Sequence, residues 1–254
     1  MTALLEVSEI TVRFGGVRAL TGVNMQVAEG SVHGLIGPNG AGKTTLLNCI
    51  GRVIEPTEGR LVFARDDLRA RPTHDLARLG VARTFQNLAL MDDRTVLDNV
   101  LVGLRRAGGF TLHDFLPTRR RFALEAEDRA TALAALAQVD LQQFAHQKIG
   151  KLPYGYRKSI EIARALCTRP RLLMLDEPTA GLNPTEMDQL GIAVRRMRET
   201  LGLTVLLITH HIEFLLEVAD RVTVLDLGCV IADGAPDLVH TDARVRAAYL
   251  GADE

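Results

Sequence analysis

The chain has 254 residues, 47% of them hydrophobic, which is enough material for the core of one α/β domain or of a core with a subdomain. Its formal net charge is −1, whereas nonspecific nucleic-acid binding favours a basic surface. We therefore expect no nucleic-acid partner.

The cysteines and the N-terminus bear on the compartment. Cys49, Cys167 and Cys229 are widely spaced and form no C-x-x-C pair, which is typical of a reducing cytosol, and we expect each to be a small core residue. The first residues lack the basic and long apolar regions of a signal peptide. No apolar run approaches the roughly 18 residues that a spanning helix needs. We therefore expect any contact with a membrane to be made through partners.

Apolar segments of strand length begin the chain. Leu4–Phe14, Val23–Val27 and Leu61–Ala64 are separated by glycines and charged turns, and they predict an antiparallel flank to a larger sheet. Between them, Ser31–Ile36 predicts a buried strand and Thr45–Ile50 predicts an apolar helix.

The loop between that strand and that helix fits the pattern G-x-x-x-x-G-K-[ST] at every fixed position. Gly37, Gly40 and Gly42 let the backbone curl so that successive N–H groups converge on a phosphate. Lys43 can reach the β- and γ-phosphates of a nucleotide, and Thr44 can offer its hydroxyl to Mg²⁺. A chance glycine-rich turn is the alternative, and the strand–loop–helix order argues against it. The residues expected to contact phosphate here are Gly37, Pro38, Asn39, Gly40, Ala41, Gly42, Lys43, Thr44 and Thr45.

The middle of the chain is predicted to be mostly helical. Gly80–Phe85 is a short strand candidate, Val96–Arg106 and Phe122–Val139 have helical patterns, and a further helix follows Gly155 through Leu166. In the second helix the i, i+4, i+7 rhythm predicts a buried face, formed by Ala126, Ala130, Leu133 and Ala137.

The last third alternates between strands and helices. Helices are predicted over Pro184–Leu201, with Asn183 as its cap, and over Ile212–Ala219. The apolar runs of strand length around them are Leu172–Leu175, Thr204–Ile208 and Val222–Leu225. This alternation predicts a parallel sheet covered on both faces.

Two acids follow the first of these strands. Asp176 can help to hold Mg²⁺, and Glu177 can polarise a water for attack on the γ-phosphorus. A solvated strand end is the alternative, and the segment Pro178–Asn183 directly afterwards argues against it.

With these motifs the chain resembles the ATP-binding subunit of an ATP-binding-cassette (ABC) transporter nearly end to end. Phe14 in Arg-Phe-Gly-Gly, Gln86 in Arg-Thr-Phe-Gln and His210 in Leu-Ile-Thr-His all match family motifs, as does the loop Ala180–Asn183. The resemblance implies that Phe14 stacks on adenine and that Gln86 contacts Mg²⁺ and senses the membrane subunit. It also implies that the loop crosses a dimer and that His210 contacts the γ-phosphate. Taken alone, Phe14 is an apolar strand-end residue and His210 a hydrogen-bonded surface group.

The resemblance implies an α/β fold of the ABC-type P-loop NTPase kind, with a mainly parallel core sheet, an antiparallel β flank and a helical subdomain. The core and flank would comprise residues 1–87 and 166–254, and the helical subdomain residues 88–165. ATP and Mg²⁺ are the implied cofactors. The implied catalytic residues are Glu177, His210 and Lys43, and the implied metal ligands are Thr44, Gln86 and Asp176.

One segment departs from the family pattern. Where the family has Leu-Ser-Gly-Gly-Gln, this chain has Leu152-Pro-Tyr-Gly-Tyr156. Gly155 is retained, and the helix that it opens still provides a positive N-terminus for the partner's nucleotide. Pro153 supplies neither the serine hydroxyl nor a backbone N–H. We therefore hypothesise that the chain works opposite a paralogous ATPase and that the site completed by this segment is the slower one.

Other segments are similar to the ATPases of branched-chain (hydrophobic) amino-acid importers. They are Val81–Asp93, Thr95–Gly103, the region around Gly108–Arg121 and the ending Val245–Gly251. The surface after Gln86 is predicted to receive a permease helix, through an apolar tip with a basic rim; a solvated connector is the alternative. The tip is Phe110, Leu112, Phe115 and Leu116, and the rim is Arg105, Arg106, Arg119, Arg120 and Arg121.

The resemblance implies a peripheral subunit at the cytoplasmic face of a bacterial membrane. Its implied partners are integral-membrane permease subunits, a second ATPase subunit packed head to tail, either identical or paralogous, and indirectly a periplasmic or extracellular binding protein. An exporter ATPase, such as the lipopolysaccharide-extraction type, is the alternative within this class. A soluble cassette ATPase acting on ribosomes or DNA usually has two cassettes or long coiled coils, and a purely regulatory nucleotide sensor would be expected to lose Glu177 or His210.

Overall fold

The structure is a computed structural model that describes residues 2–84, 88–104 and 119–250, apart from the side chains of 119–121 and 250. The strands within these residues are β1 Ala3–Phe14, β2 Val17–Ala28, β3 Val32–Ile36, β4 Glu58–Phe63, β5 Asp66–Asp67, β6 Val81–Arg83, β7 Leu172–Asp176, β8 Thr204–Ile208, β9 Arg221–Asp226 and β10 Cys229–Gly234.

Helices connect most strands of the larger sheet and form most of the middle of the chain. In the same described residues they are α1 Lys43–Ile50, α2 Leu76–Leu79, α3 Val96–Leu101, α4 Arg119–Gln138, α5 Tyr154–Leu166, α6 Pro184–Leu201, α7 Ile212–Val218, α8 Pro236–Thr241 and α9 Ala243–Leu250. Short 3₁₀ turns lie at Leu68–Ala70, Thr73–Asp75, Gln142–Phe144 and Ile149–Lys151. None of the described helices is long and apolar enough to cross a membrane.

Two sheets form the framework. The described strands of the larger sheet run in the order β10-β9-β3-β8-β7-β6, with parallel pairing from β9 to β6 and an antiparallel β9–β10 edge. The smaller sheet is antiparallel, in the order β2-β1-β4-β5. The predicted α/β class, with a mainly parallel core sheet and an antiparallel flank, is therefore confirmed.

Alternate residues of the parallel strands enter two different cores, because successive side chains point to opposite faces of a sheet. Leu172 and Met174 pack with the antiparallel sheet and α1, whereas Leu173 and Leu175 pack with the helices on the other face. Since both faces are covered, these strands are apolar throughout. The carboxyl ends of β3, β7 and β8 consequently meet at one edge, which carries the candidate site.

The local signals at the start of α6 are confirmed in detail. The Asn183 side chain accepts a hydrogen bond from the Glu186 backbone N–H, and the Glu186 carboxylate accepts one from the Asn183 N–H. Pro184 occupies the first turn, where its missing N–H leaves no bond unmade. This capping box fixes the direction in which the chain leaves the loop after β7.

The predicted inner face of the second helix was wrong. Ala126, Ala130 and Leu133 are exposed in α4, and Ala137 is half-buried. The side chains that pack inward are Ala132, Ala135, Leu136 and Val139. The segment is rich in alanine, so its apolar rhythm fits more than one face, and packing against α3 and α5 selects between them.

Two smaller expectations also changed. Cys49 and Cys167 are buried as predicted, and burial raises the pKa of each thiol to about 11. Cys229, however, is exposed at the start of the edge strand β10, so it is not a core residue. The helix predicted to reach Arg106 ends at Leu101, and residues 105–118 lie outside the described part of the chain.

Candidate nucleotide site

An open cavity of about 250 Å³ lies at the carboxyl ends of the parallel strands. It is lined by the phosphate loop and by Asp176, Glu177 and Ile208 at the ends of β7 and β8. Ala19, on the hairpin of the smaller sheet, also lines it. The lining residues from the loop are Asn39, Gly40, Ala41, Gly42, Lys43, Thr44 and Thr45.

The shape of the phosphate loop depends on glycines that no other residue can replace without movement. A Cβ atom at Gly37 would overlap the carbonyl oxygen of Leu225. Gly42 has φ +100°, and a Cβ there would lie 2.6 Å from a Leu20 methyl and 2.8 Å from the Ala19 carbonyl oxygen. Side chains are therefore excluded at these two positions, which leaves the loop backbone able to approach a phosphate closely.

The Lys43 side chain folds back over its own loop. Its Nζ donates hydrogen bonds to the carbonyl oxygens of Gly37 at 2.6 Å and Pro38 at 2.9 Å. Burial lowers the pKa of Lys43, while the nearby carboxylates of Glu177 and Asp176 act to raise it. The ammonium is therefore held within the cavity, close to both acids, where a nucleotide's terminal phosphates would need a counter-charge.

The Asp176 carboxylate is buried, and only one of its two oxygens has a hydrogen-bond partner among the described residues. Its Oδ2 accepts a hydrogen bond from Arg83 at 2.8 Å, and Arg83 also donates to Asn48 on α1 at 2.7 Å. Its Oδ1 is buried and has no hydrogen-bond partner among the described residues. A buried carboxylate oxygen with no partner is costly unless another group binds it. Because oxygen ligands suit Mg²⁺, this oxygen and the Thr44 hydroxyl on the same cavity fit that ion.

Glu177 is held in a left-handed backbone conformation directly after β7, with φ +49°. Its N–H donates to the Ile208 carbonyl at 2.9 Å, which ties it to the end of β8. Its Oε2 lies 2.8 Å from Nδ1 of His210, so two residues that were predicted separately lie together. The Thr179 and Thr209 hydroxyls, 2.6 Å apart and fully buried, join the two loops behind it.

Two site residues were missed by the sequence reasoning. Arg83 lies on β6 and pairs with Asp176, as described above. Lys158 lies on α5, and its Nζ donates to the Glu177 carbonyl at 2.9 Å. A signal for Lys158 was available, because Lys158, Glu161 and Ile162 share the buried i, i+3, i+4 stripe of α5 although two of them are charged.

The altered family segment packs against its own chain. A Cβ at Gly155 would lie 2.5 Å from the Glu186 carboxylate, and the Tyr154 ring lies 3.2 Å from where a Cβ of Gly181 would stand. Gly155 therefore has a structural reason to be glycine, in addition to any contact with a partner. Pro153 is the N-cap of α5 and supplies no side-chain hydrogen bond to it.

The remaining predicted residues either do not line the cavity or lie outside the described part of the chain. Phe14 lies half exposed at the end of the hairpin and does not line it, although Ala19 on the same hairpin does. Gln86 and the predicted apolar tip at 110–116 lie outside the described residues, and no side chain is described for 119–121.

A phosphate loop on a parallel α/β sheet, opposed by a strand-end acid pair, defines a P-loop nucleotide-binding protein. Residues 20–180 match the family described as ABC transporter. The chain is 42% identical to the high-affinity branched-chain amino acid transport ATP-binding protein BraF of Pseudomonas aeruginosa, over 98% of each chain.

Solved structures agree with these matches. The ADP conformation of MJ1267, an ATP-binding cassette of an ABC transporter, has a TM-score of 0.86 and 32% identity over 99% of this chain and all of that one. The dimeric post-hydrolysis state of the cassette MJ0796, bound to ADP and Pi, has a TM-score of 0.74 and 26% identity over 91% of this chain and 98% of that one. The chain belongs to the ABC transporter family, as an ATP-binding ATPase of that family.

Proposed function

We propose that this ABC ATPase energises the import of branched-chain or other hydrophobic amino acids. The observation that carries the substrate class is the 42% identity with BraF over 98% of both chains. The substrate itself would be bound by other subunits, because this chain's described cavity is built for phosphate.

The site geometry supports a division of roles for hydrolysis. Lys43 would bind the β- and γ-phosphates, and the loop N–H groups with the α1 N-terminus would bind the remaining charge. Glu177, beside the cavity and close to His210, would orient the attacking water and draw off its proton as the bond between the γ-phosphorus and the bridging oxygen breaks. His210 would hold that carboxylate and contact the γ-phosphate. Phe14 would contact adenine at the open side of the cavity.

Mg²⁺ would be held by Thr44, Asp176 and Gln86. The unpartnered Oδ1 of Asp176 and its place on the cavity with Thr44 support this assignment for two of the three. The chemistry that the ion supplies is neutralisation of charge on the β- and γ-phosphate oxygens.

The proposed assembly contains two ATPase subunits and the permeases that they drive. The MJ0796 dimer supports pairing of cassettes, in which Gly155 and the N-terminus of α5 would face the partner's nucleotide. Residues 88–165 would form a helical subdomain that receives the permeases, and residues 1–87 with 166–254 the nucleotide core. The protein would then lie at the cytoplasmic face of a bacterial membrane.

The replacement Glu177→Gln tests the catalytic assignment. It should retain ATP binding and reduce turnover by about 10²-fold or more, since the amide cannot accept the water's proton. The matched control is Glu199→Gln on the exposed face of α6, which should hydrolyse ATP at the native rate. Near-native steady-state turnover of Glu177→Gln in the assembled transporter would show that another group activates the water.

Uptake tests the substrate class separately. A strain that lacks this chain should lose energy-dependent uptake of radiolabelled leucine, isoleucine or valine, and the native gene should restore it whereas Glu177→Gln should not. Unchanged uptake of all three, with ATP hydrolysis by the purified chain intact, would reject the substrate class and leave the ATPase assignment standing.

A further inference from the structure

A charged side chain from α5 is buried against the backbone of the proposed catalytic acid. Lys158 is 9% exposed, and its Nζ donates a hydrogen bond of 2.9 Å to the carbonyl oxygen of Glu177. A lysine this deeply buried is uncommon unless its charge is compensated. Its position therefore calls for a reason beyond filling space.

The carbonyl that Lys158 binds belongs to a residue in an unusual conformation. Glu177 has φ +49°, in a region that residues other than Gly, Asn and Asp rarely adopt. Such a conformation persists only where the surroundings hold it. The Ile208 carbonyl holds the N–H of Glu177, and on its other side the Glu177 carbonyl accepts bonds from Lys158 and from the Ala180 N–H at 3.2 Å.

The same conformation sets where the carboxylate points. From this turn, Oε2 of Glu177 lies 2.8 Å from Nδ1 of His210, on the wall of the nucleotide cavity. With the Glu177 N–H held by Ile208, a change of φ toward an ordinary value would move the Glu177 carbonyl and its side chain together, because both turn about the N–Cα bond. The carboxylate would then leave its position beside His210. The ammonium thus acts on the acid through its main chain.

The surroundings of the Lys158 Nζ hold it against the Glu177 carbonyl. The Tyr154 ring centroid lies 5.6 Å from Nζ, a distance that suits a cation–π contact. Burial lowers the pKa of Lys158, and the carboxylates of Glu177 and Glu161 act to raise it. Glu161 is itself paired with Arg164 at 3.4 Å, so it does not depend on Lys158 alone.

We propose that Lys158 is a positioning residue for ATP hydrolysis, which fixes the main chain of Glu177 from α5 and thereby aims its carboxylate into the nucleotide cavity. The inference rests on the proposed role of Glu177. It also gives α5, whose first turn carries Tyr154 and Gly155, a direct mechanical connection to the acid of its own chain.

The test compares three variants of the full-length chain, alone and in the transporter complex. Lys158→Met keeps the length of the stem but removes the donor, and it should reduce kcat about tenfold while the KM for ATP and the binding of a fluorescent ATP analogue stay within about twofold. Lys158→Arg, which keeps a charged donor, should recover part of the loss. Lys151→Met, at an exposed lysine three residues before the helix, should behave as native.

A double-mutant cycle separates positioning from a merely structural role. If Lys158 acts through Glu177, adding Lys158→Met to Glu177→Gln should lower the residual hydrolysis by less than twofold. A further tenfold loss in that background, or equal losses in kcat and ATP affinity, would overturn the proposal. If Lys158→Met unfolds, the cycle is run with Lys158→Arg, whose effect should likewise vanish in the Glu177→Gln background.

The outcomes also distinguish this inference from the proposed function. Full activity of Glu177→Gln would reject the role of that acid. Loss of activity in Glu177→Gln together with native kcat in Lys158→Met would reject only the positioning role.

Discussion

Gly37 and Gly155 are both proposed to lie beside a nucleotide phosphate, but their surroundings differ. At Gly37 a side chain would overlap a backbone atom, the carbonyl oxygen of Leu225. At Gly155 it would meet the end of a side chain, the Glu186 carboxylate at 2.5 Å. The first obstacle belongs to the main chain of β9, which is paired on both sides within the core sheet. The second belongs to a side chain, which can rotate away if it gives up its hydrogen bond to the Asn183 N–H.

This contrast shows that the two parts of the proposed composite nucleotide site are held in different ways. The phosphate loop is fixed by main chain, between a buried strand and α1, so its geometry leaves little freedom for sequence change. The segment Leu152–Tyr156 lies against the Glu186 side chain of α6 and against Gly181 in the loop before that helix. Departures from the family pattern are therefore tolerable in this segment, and the chain shows them there and not in the phosphate loop.

The largest effect is expected from Gly37→Ala. Displacing the Leu225 backbone should lower the free energy of unfolding by about 3 kcal/mol or more and abolish ATP binding. Gly40→Ala is the matched control, because Gly40 has φ +82° with nothing within 4 Å of a Cβ, so only its conformation is penalised, by about 1–2 kcal/mol. Urea unfolding measures both. Equal decreases in the free energy of unfolding in the two variants would mean that β9 moves to accommodate the added methyl group at little cost.

The next effect concerns the strand that leads into the phosphate loop. His33 on β3 is fully buried, its Nε2 lies 2.8 Å from the Thr223 hydroxyl, and that hydroxyl donates to Asp233 at 2.8 Å. Burial lowers the pKa of His33 to about 4, and the charge of Asp233 opposes this shift while that of Arg221 adds to it. Between about pH 6.5, the pKa of histidine in the unfolded chain, and about pH 4, His33 is protonated in the unfolded chain but neutral in the folded one.

Stability should therefore fall as the pH drops from about 6.5 to about 4, by up to about 3 kcal/mol from this group. The comparison to make is urea unfolding at pH 7 and pH 5 for the native chain and for His33→Gln, in which this component of the pH dependence should disappear. His74→Gln, at an exposed histidine, should keep it. If the free energy of unfolding of His33→Gln changes between pH 7 and pH 5 as much as that of the native chain, the pH dependence comes from carboxylates and not from His33.

The sequence predicted the parts of the site that are encoded by local patterns and missed those made by long-range contacts. The phosphate loop, the strand before it and the acids after β7 are local patterns, so their elements and their meeting at one sheet edge were predictable. The contacts of Arg83 with Asp176 and of Lys158 with Glu177 join residues 93 and 19 positions apart. No local pattern encodes such a contact, although the charged residues on the buried stripe of α5 indicated that one exists. In α4 the alanine-rich rhythm fitted two faces, and only packing against its neighbours decided between them.

A smaller effect is expected at Gly155. In Gly155→Ala the Glu186 carboxylate must move, and it then loses its bond to the Asn183 N–H, one half of the capping box of α6. We expect Gly155→Ala to change the free energy of unfolding by about 1 kcal/mol less favourably in the native chain than in the Glu186→Ala variant. In that variant the carboxylate is absent, so the higher helix propensity of alanine should stabilise α5. Thermal unfolding of the four chains gives this coupling. A coupling near zero would mean that the two groups avoid each other without cost.

The smallest change in stability is expected at Pro153, the N-cap of α5. Serine there would cap the helix with its hydroxyl, which stabilises by about 1 kcal/mol, but it would also release the restriction that proline places on the unfolded chain, worth about 0.4–1 kcal/mol. The net change should be under about 0.5 kcal/mol, so Pro153→Ser can be read for its effect on rate without a large correction for folding.

That rate is where the two halves of the site can be compared most directly. If the missing serine makes this half-site the slower one, Pro153→Ser should raise hydrolysis at the partner's phosphate loop up to about tenfold, measured with this chain's own site silenced by Glu177→Gln. Pro153→Asn caps the helix equally well but presents an amide in place of the hydroxyl, so it separates a better cap from a new phosphate contact. A gain with serine alone would support unequal composite sites. Equal gains in both variants would assign the effect to the helix cap. No gain in either variant would show that the missing serine does not limit the rate, as expected if Gly155 and the N-terminus of α5 suffice to bind the partner's phosphate.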